Sequence, residues 1–177
     1  MLALGPAAKW RGKTWPAENF SALAKRLTAP EGLLANGRVT VFAAPGEEET
    51  AYRVLNDIPE DQRIDVITKT TPLQAAACIR RCALYVGNDS GLTHTAAAVG
   101  TPTLGLFGPG FPHLYRPWGP IADFVRTPES HEELTGYPGY NSRTAPCLMT
   151  TLTVDMAAAA AEKLWAKLEQ KSAEARH

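Results

Sequence analysis

The chain has 177 residues, of which 45 % are hydrophobic, and this is enough for one domain with a substantial core. The 18 acidic and 18 basic residues balance, which excludes a global positive field that would hold nucleic acid or an anionic membrane. The three cysteines do not form a disulfide framework and fit a reducing compartment, so we expect a cytoplasmic protein.

The amino-terminal residues do not predict a signal peptide, because they lack a basic start and their apolar run is short. No segment approaches the run of about 20 apolar residues that a membrane-spanning helix needs. We therefore expect a chain with neither a leader nor a membrane span.

Short apolar segments alternate with helical segments along most of the chain. Strands are predicted at residues 2–5, 38–45, 63–68, 83–87, 102–108 and 121–126, and helices at residues 15–27, 46–58, 71–82, 91–100 and 153–170. Pro16, Thr71 and Thr153 stand at the starts of three of these helices, where proline and threonine are favoured. The alternation predicts an α/β fold with a doubly wound, Rossmann-like parallel sheet covered on both faces.

Two segments depart from this alternation. Residues 128–145 are rich in glycine, proline and serine and predict a surface loop, and residues 172–177 predict a frayed tail. We treat residues 1–177 as a single domain. Because ligands of such sheets bind beyond the carboxyl ends of the strands, the polar turns that follow the strands should gather on one edge.

One of these turns has the chemistry of an anion site. It lies between the strand at residues 83–87 and the small-residue helix that follows, and the free N–H groups and dipole of a helix start favour phosphate. Gly91 permits close approach, Ser90 and Thr93 offer hydroxyls, and Asp89 either caps the helix or accepts from a sugar hydroxyl. The alternative is a capped helix that binds no ligand.

The segment GNDSGLTHTAAAVGTPTLGLFGP, residues 87–109, resembles the hallmark of the heptosyltransferases of glycosyltransferase family 9. The usual form of that hallmark is G-N-D-S-G-x-x-H-x-A-A-x-x-x-x-P-x-x-x-x-F-G-P. Further family segments have similar counterparts in the same order at residues 2–27 (LALGPAAKWRGKTWPAENFSALAKRL), 41–49 (VFAAPGEEE), 71–91 (TPLQAAACIRRCALYVGNDSG) and 147–165 (CLMTTLTVDMAAAAAEKLW). The resemblance covers nearly the whole chain and is weakest over residues 128–145.

The resemblance implies the C-terminal, donor-binding half of a two-domain GT-B enzyme. The donor would be a nucleotide-diphosphate sugar, ADP-heptose in the first place, and the reaction an inverting glycosyl transfer in lipopolysaccharide or related glycan synthesis. An N-terminal acceptor domain would supply the general base and bind a glycolipid acceptor, which implies peripheral contact with the inner membrane. No metal or other cofactor is expected.

The resemblance also implies roles for individual residues. Lys13 would reach the donor phosphates, and Lys9 and Arg11 in the same loop would supplement it. Asp89 would lie near the donor sugar and phosphate. His94 would either donate to a phosphate oxygen or orient the turn.

Roles are also expected for residues after the second and fifth predicted strands. Glu47 would accept from the ribose hydroxyls, with Glu48 as the alternative if the register shifts by one residue. Gly108 would form a rigid turn near the donor. Arg116 would contact either the sugar or the other half of the enzyme, and Trp118 would belong to that interface.

Two other functions are weighed against a transferase. A non-catalytic nucleotide-binding or interaction module, derived from a transferase half, would use the same residues for binding alone. A dehydrogenase is disfavoured, because the turn after the first strand reads GPAAKWRGK and lacks G-x-G-x-x-G.

Overall fold

Six parallel strands form the centre of the computed structural model, which describes residues 1–174. The strands are β1 (Leu2–Gly5), β2 (Val39–Val41), β3 (Arg63–Asp65), β4 (Leu84–Asn88), β5 (Thr103–Phe107) and β6 (Ala122–Arg126). They lie in the order β3-β2-β1-β4-β5-β6, which is the doubly wound Rossmann order. The predicted fold class is confirmed.

Helices cover both faces of the sheet. They are α1 (Ala17–Thr28), α2 (Glu48–Asn56), α3 (Pro72–Ile79), α4 (Gly91–Ala98), α5 (Pro112–Tyr115), α6 (His131–Thr135) and α7 (Val154–Glu174), with a 3₁₀ turn at Arg11–Lys13. The larger core cluster joins α1, α2 and α7 to one face, and the smaller one joins α3 and α4 to the other. No helix within residues 1–174 combines the length and the apolar character needed to cross a membrane.

The helix starts follow the local sequence signals. Pro16 occupies the N-cap position of α1. Thr71 forms a capping box, because its hydroxyl accepts from the backbone N–H of Gln74 and the Gln74 side chain accepts from the backbone N–H of Thr71. Thr153 accepts from the backbone N–H of Met156 at 3.2 Å and so caps α7. All three predicted starts are confirmed.

The differences from the sequence prediction lie mostly outside the sheet. Strands β2 and β3 are shorter than expected, and the predicted surface loop at residues 128–145 contains α6, whose start is a capping box between Ser130 and Glu133. Helix α7 continues to Glu174, so residues 172–174 are helical where a frayed tail was predicted. Residues 175–177 of that predicted tail lie outside the described residues.

Candidate functional site

A cleft of about 650 Å³ opens beyond the carboxyl ends of β1, β2 and β4. The turns that follow these three strands meet there, as expected for neighbouring strands of a parallel sheet. The cleft wall consists of Ala8, Lys9, Trp10, Arg11, Lys13, Glu47, Asp89, Ser90, Gly91, Ser142 and Arg143. Four of these side chains are basic and two are acidic, so the wall has an excess of positive charge that favours an anionic ligand.

Lys13 and Asp89 form an ion pair in the cleft wall. The 3₁₀ turn positions Lys13, whose backbone N–H donates to the Trp10 carbonyl at 3.0 Å. The Lys13 ammonium donates to Asp89 Oδ2 at 2.6 Å, and the two side chains are 26 % and 7 % exposed. The ammonium group also lies 5.8 Å from the centre of the Trp10 ring. The two predicted site residues are therefore brought together, but they pair with each other.

Asn88 holds the loop that carries Lys13. Its side chain is fully buried at the end of β4, its Oδ1 accepts from the backbone N–H of Trp15 at 3.1 Å, and its Nδ2 donates to the Pro6 carbonyl at 2.8 Å. The Trp15 indole N–H donates in turn to the Leu152 carbonyl at 2.7 Å. These contacts tie both ends of the β1–α1 loop to the structure around β4, so the position of Lys13 over the cleft does not depend on surface contacts.

The N-terminus of α4 forms the floor of the cleft. Its first N–H groups have no acceptor within the helix. Ser90 stands at the N-cap position, yet its hydroxyl makes no capping hydrogen bond. The Ser90 Oγ atom is buried and hydrogen-bonds to none of the described residues. A side chain at Gly91 would meet nothing within 4 Å, so glycine leaves the approach to this helix end open.

Thr93 and His94 lie on α4 but not in the cleft wall. Thr93 is 1 % exposed, and its hydroxyl donates to the Asn88 carbonyl at 2.5 Å. This hydroxyl stabilises the turn and is not presented to the cleft, which departs from the expected contact with phosphate. His94 is exposed to solvent. Of the predicted hydroxyl donors, the structure thus brings only Ser90 to the cleft.

Glu47, not Glu48, lies in the cleft wall. Gly46, with φ of +90°, provides the left-handed turn that directs the chain there. The Glu47 Oε2 atom accepts from the backbone N–H of Ala44 at 3.0 Å. This bond holds the carboxylate just beyond the carboxyl end of β2. Backbone N–H donation from Gly46, and next from Glu48 itself, lowers the pKa of the Glu48 carboxyl. Glu48 therefore belongs to the start of α2.

The weaker predicted residues divide between the cleft and its surroundings. Lys9 and Arg11 line the cleft with exposed side chains. Gly108 is buried, and a Cβ atom there would lie 2.6 Å from Met149 Cγ, so this glycine makes room for core packing. Arg116 lines a separate pocket together with Trp118, which is 86 % exposed.

Four cleft residues were not predicted as site residues from the sequence: Ala8, Trp10, Ser142 and Arg143. Trp10 comes from the β1–α1 loop, and its indole Nε1 atom is buried without a hydrogen bond to any residue in the described range. Ser142 and Arg143 come from the segment that was predicted as a surface loop. Trp10 stands between two basic residues of the GPAAKWRGK segment, and this position could have marked it as a site residue. Nothing in the sequence distinguishes Arg143 from the other exposed arginines. Among residues 1–174, no group of three or more His, Cys, Asp or Glu side chains is arranged to hold a metal ion.

Comparison with known proteins identifies a family. Residues 1–138 match the family described as glycosyltransferase family 9 (heptosyltransferase). Lipooligosaccharide heptosyltransferase 2 of Haemophilus influenzae is 33 % identical over 126 residues, which cover 69 % of this chain and 33 % of that protein. Lipopolysaccharide heptosyltransferase 2 of Escherichia coli is 30 % identical over 141 residues, which cover 77 % of this chain and 37 % of that protein.

The solved structure of the Escherichia coli ADP-heptose LPS heptosyltransferase II superposes with a TM-score of 0.71 at 25 % sequence identity. The superposition covers 96 % of this chain and 47 % of that one. The chain therefore spans between about a third and a half of the length of these proteins.

Proposed function

The chain belongs to glycosyltransferase family 9, and we propose that its cleft binds the nucleotide-diphosphate sugar from which a glycosyl group is transferred. The chain would act as the donor-binding half of a GT-B enzyme in lipopolysaccharide or related glycan synthesis. A second, N-terminal domain would bind the glycolipid acceptor, in contact with the inner membrane.

The main support for this proposal comes from the N-terminus of α4. Ser90 Oγ is a buried hydroxyl without a partner among residues 1–174, and a donor left unpaired in a protein interior costs about 1–3 kcal/mol. It lies in the same cleft wall as Gly91 and the Lys13 ammonium. A diphosphate at this point would accept from the hydroxyl, from the free N–H groups of the helix and from Lys13, and the helix dipole would favour its charge.

The nucleoside would extend toward β2. Glu47 lies in the wall on that side, and among residues 1–174 its carboxylate accepts a backbone hydrogen bond from Ala44 through Oε2 and none through Oε1. Its Oε1 atom is left to accept from a ribose hydroxyl, the role that a carboxylate after the second strand plays in other nucleotide-binding sheets.

The chemistry assigned to this chain is stabilisation of the leaving group. In the proposed reaction an acceptor hydroxyl attacks the anomeric carbon, the bond from that carbon to the diphosphate oxygen breaks, and configuration inverts. Negative charge grows on the diphosphate as this bond breaks, and preoriented donors that face the growing charge lower the barrier. The general base that takes the hydroxyl proton is assigned to the acceptor domain.

ADP-heptose is the proposed donor, because the solved structure that superposes on this chain with a TM-score of 0.71 is that of an ADP-heptose LPS heptosyltransferase. We propose that binding requires no metal ion. The positive end of α4 and Lys13, with Lys9, Arg11 and Arg143 nearby, would balance the charge of the diphosphate.

Calorimetric titration of the chain with ADP, UDP and GDP, each with EDTA and then with Mg²⁺, tests the proposal. ADP should bind best, and EDTA should leave its affinity unchanged. Preference for UDP or GDP would retain the donor site but contradict the ADP-linked sugar. Failure of all three nucleotides to bind would contradict the proposed function.

A further inference from the structure

Tyr85 is a residue of β4, and the transfer chemistry described above makes no use of it. Its side chain is completely buried on the face of the sheet that α3 and α4 cover. Its hydroxyl oxygen is buried and hydrogen-bonds to no residue in the described part of the chain. Burial raises the pKa of the Tyr85 phenol, so the phenol keeps its proton at neutral pH and is a hydrogen-bond donor.

Two glycines make room for this phenol. Gly5 of β1 and Gly87 of β4 are direct partners in the sheet register. A Cβ atom at Gly5 would lie 2.0 Å from the Tyr85 hydroxyl oxygen, and one at Gly87 would lie 2.5 Å from it. Any side chain at either position would collide with the phenol. The ring therefore extends along β4 toward its carboxyl end, where the cleft opens.

The hydroxyls of Ser90 and Thr93 are the neighbours of the phenol. Both are close enough to lower the pKa of the Tyr85 phenol, against the larger effect of burial, which raises it. The Tyr85 hydroxyl nevertheless forms a hydrogen bond with neither of them. The Thr93 hydroxyl already donates to the Asn88 carbonyl. Ser90 Oγ, in contrast, has neither a capping bond nor another partner in the described residues. Two buried hydroxyls without partners thus lie next to each other under the N-terminus of α4.

We propose that Tyr85 is a positioning residue for the diphosphate: its phenol donates to Ser90 Oγ, so that the Ser90 hydroxyl donates to a phosphate oxygen. A serine hydroxyl has one proton and two acceptor positions, so the two bonds are compatible. This relay from Tyr85 through Ser90 to the phosphate would satisfy both buried hydroxyls when the anion binds.

This inference rests on the proposed function, and ADP titration into a set of variants tests the two separately. Tyr85→Phe should lower the affinity for ADP by about three- to tenfold, the range expected for one neutral hydrogen bond. Ser90→Ala should lower it at least as much. In the Ser90→Ala background, Tyr85→Phe should change the affinity by less than about twofold, because the relay is already broken.

Thermal unfolding distinguishes an effect of Tyr85 on ligand binding from an effect on the stability of the fold. Tyr85→Phe should leave Tm unchanged or raise it, because the hydroxyl that it removes has no partner in the described residues. Tyr52→Phe removes a phenol hydroxyl on α2, outside the cleft wall, and serves as the matched control with unchanged ADP affinity.

The outcomes are distinguishable. If the unmodified chain does not bind ADP, both the proposed function and the relay are wrong. If it binds ADP but Tyr85→Phe binds equally well, the relay alone is wrong. An equal effect of Tyr85→Phe with and without Ser90 would also overturn the relay, since the phenol would then act independently of that serine.

Discussion

Lys13 Nζ lies 2.6 Å from Asp89 Oδ2, although the two residues are 76 positions apart in the chain. Both were predicted to meet the same ligand, and in the structure they form an ion pair. A diphosphate that binds at the end of α4 must therefore compete with Asp89 for the ammonium group. This relationship gives the two residues opposite effects on the binding of a simple anion.

Replacing Lys13 with alanine should weaken ADP binding by about 1.5–3 kcal/mol, the range for a hydrogen bond to a charged group. Calorimetry on the variant checks this value. Lys25→Ala is the matched control, because Lys25 is also ion-paired, with Asp57 at 2.9 Å, but lies outside the cleft wall. Unchanged ADP affinity in the Lys13 variant would show that Lys13 does not contact the ligand.

Replacing Asp89 with asparagine should strengthen the binding of inorganic pyrophosphate by about two- to fivefold. The substitution removes a negative charge beside the anion and releases Lys13 from its ion pair. Asp57→Asn, which neutralises the partner of Lys25, should leave this affinity unchanged. Weaker binding of pyrophosphate to the Asp89 variant would contradict the claim that Asp89 and the anion compete for the Lys13 ammonium group.

Arg143→Ala should lower ADP affinity by about 0.2–1 kcal/mol at low ionic strength, because Arg143 lines the cleft but is exposed. The difference should shrink as KCl is added, since exposed charges are screened. Arg116→Ala should have no effect, because Arg116 lines a separate pocket. Equal losses in the two variants at low salt would show that the cleft boundary is misplaced.

Asn88→Ala should lower the free energy of unfolding by about 2–6 kcal/mol, because it leaves the buried N–H of Trp15 and the carbonyl of Pro6 without their partner. Urea denaturation measures the change. Asn56→Ala, at the exposed end of α2, is the control and should cost much less. A small loss at Asn88 would mean that the β1–α1 loop is held by other contacts.

Trp10 should report on ligand binding through its fluorescence, since its indole lies in the cleft wall within 5.8 Å of Lys13 Nζ. Adding ADP should change the tryptophan emission of the chain. The change should disappear in Trp10→Phe and persist in Trp118→Phe, because Trp118 lies outside this cleft. Persistence of the full change in the Trp10 variant would place the ligand elsewhere.

The sequence was sufficient to predict the sheet and the strand-end turns. Apolar runs such as residues 83–87 are readable because a parallel strand is buried on both faces, and turns after such strands meet on one edge. Glu47, Ser90 and Gly91 therefore appear in the cleft as expected. Chain order locates the turns, but it left Glu47 and Glu48 as alternatives that the structure distinguishes.

The sequence could not show which side chains use their polar atoms elsewhere. Thr93 has a hydroxyl like that of Ser90 and a similar place in the motif, but this hydroxyl donates a hydrogen bond to the Asn88 carbonyl. Arg143 reaches the cleft from a segment without a strand or hydrophobic period to locate it. The first outcome depends on the detailed geometry of the β4–α4 turn, within which Thr93 and Asn88 are five residues apart, and the second depends on long-range packing.

A crystal structure of the chain with bound ADP tests the central claim most directly. The β-phosphate should lie at the N-terminus of α4, within hydrogen-bond distance of the Gly91 N–H, Ser90 Oγ and Lys13 Nζ. The Lys13–Asp89 distance should then exceed its present 2.6 Å. An ADP molecule bound away from α4, with the Lys13–Asp89 pair intact, would contradict the assignment of this cleft as the donor site.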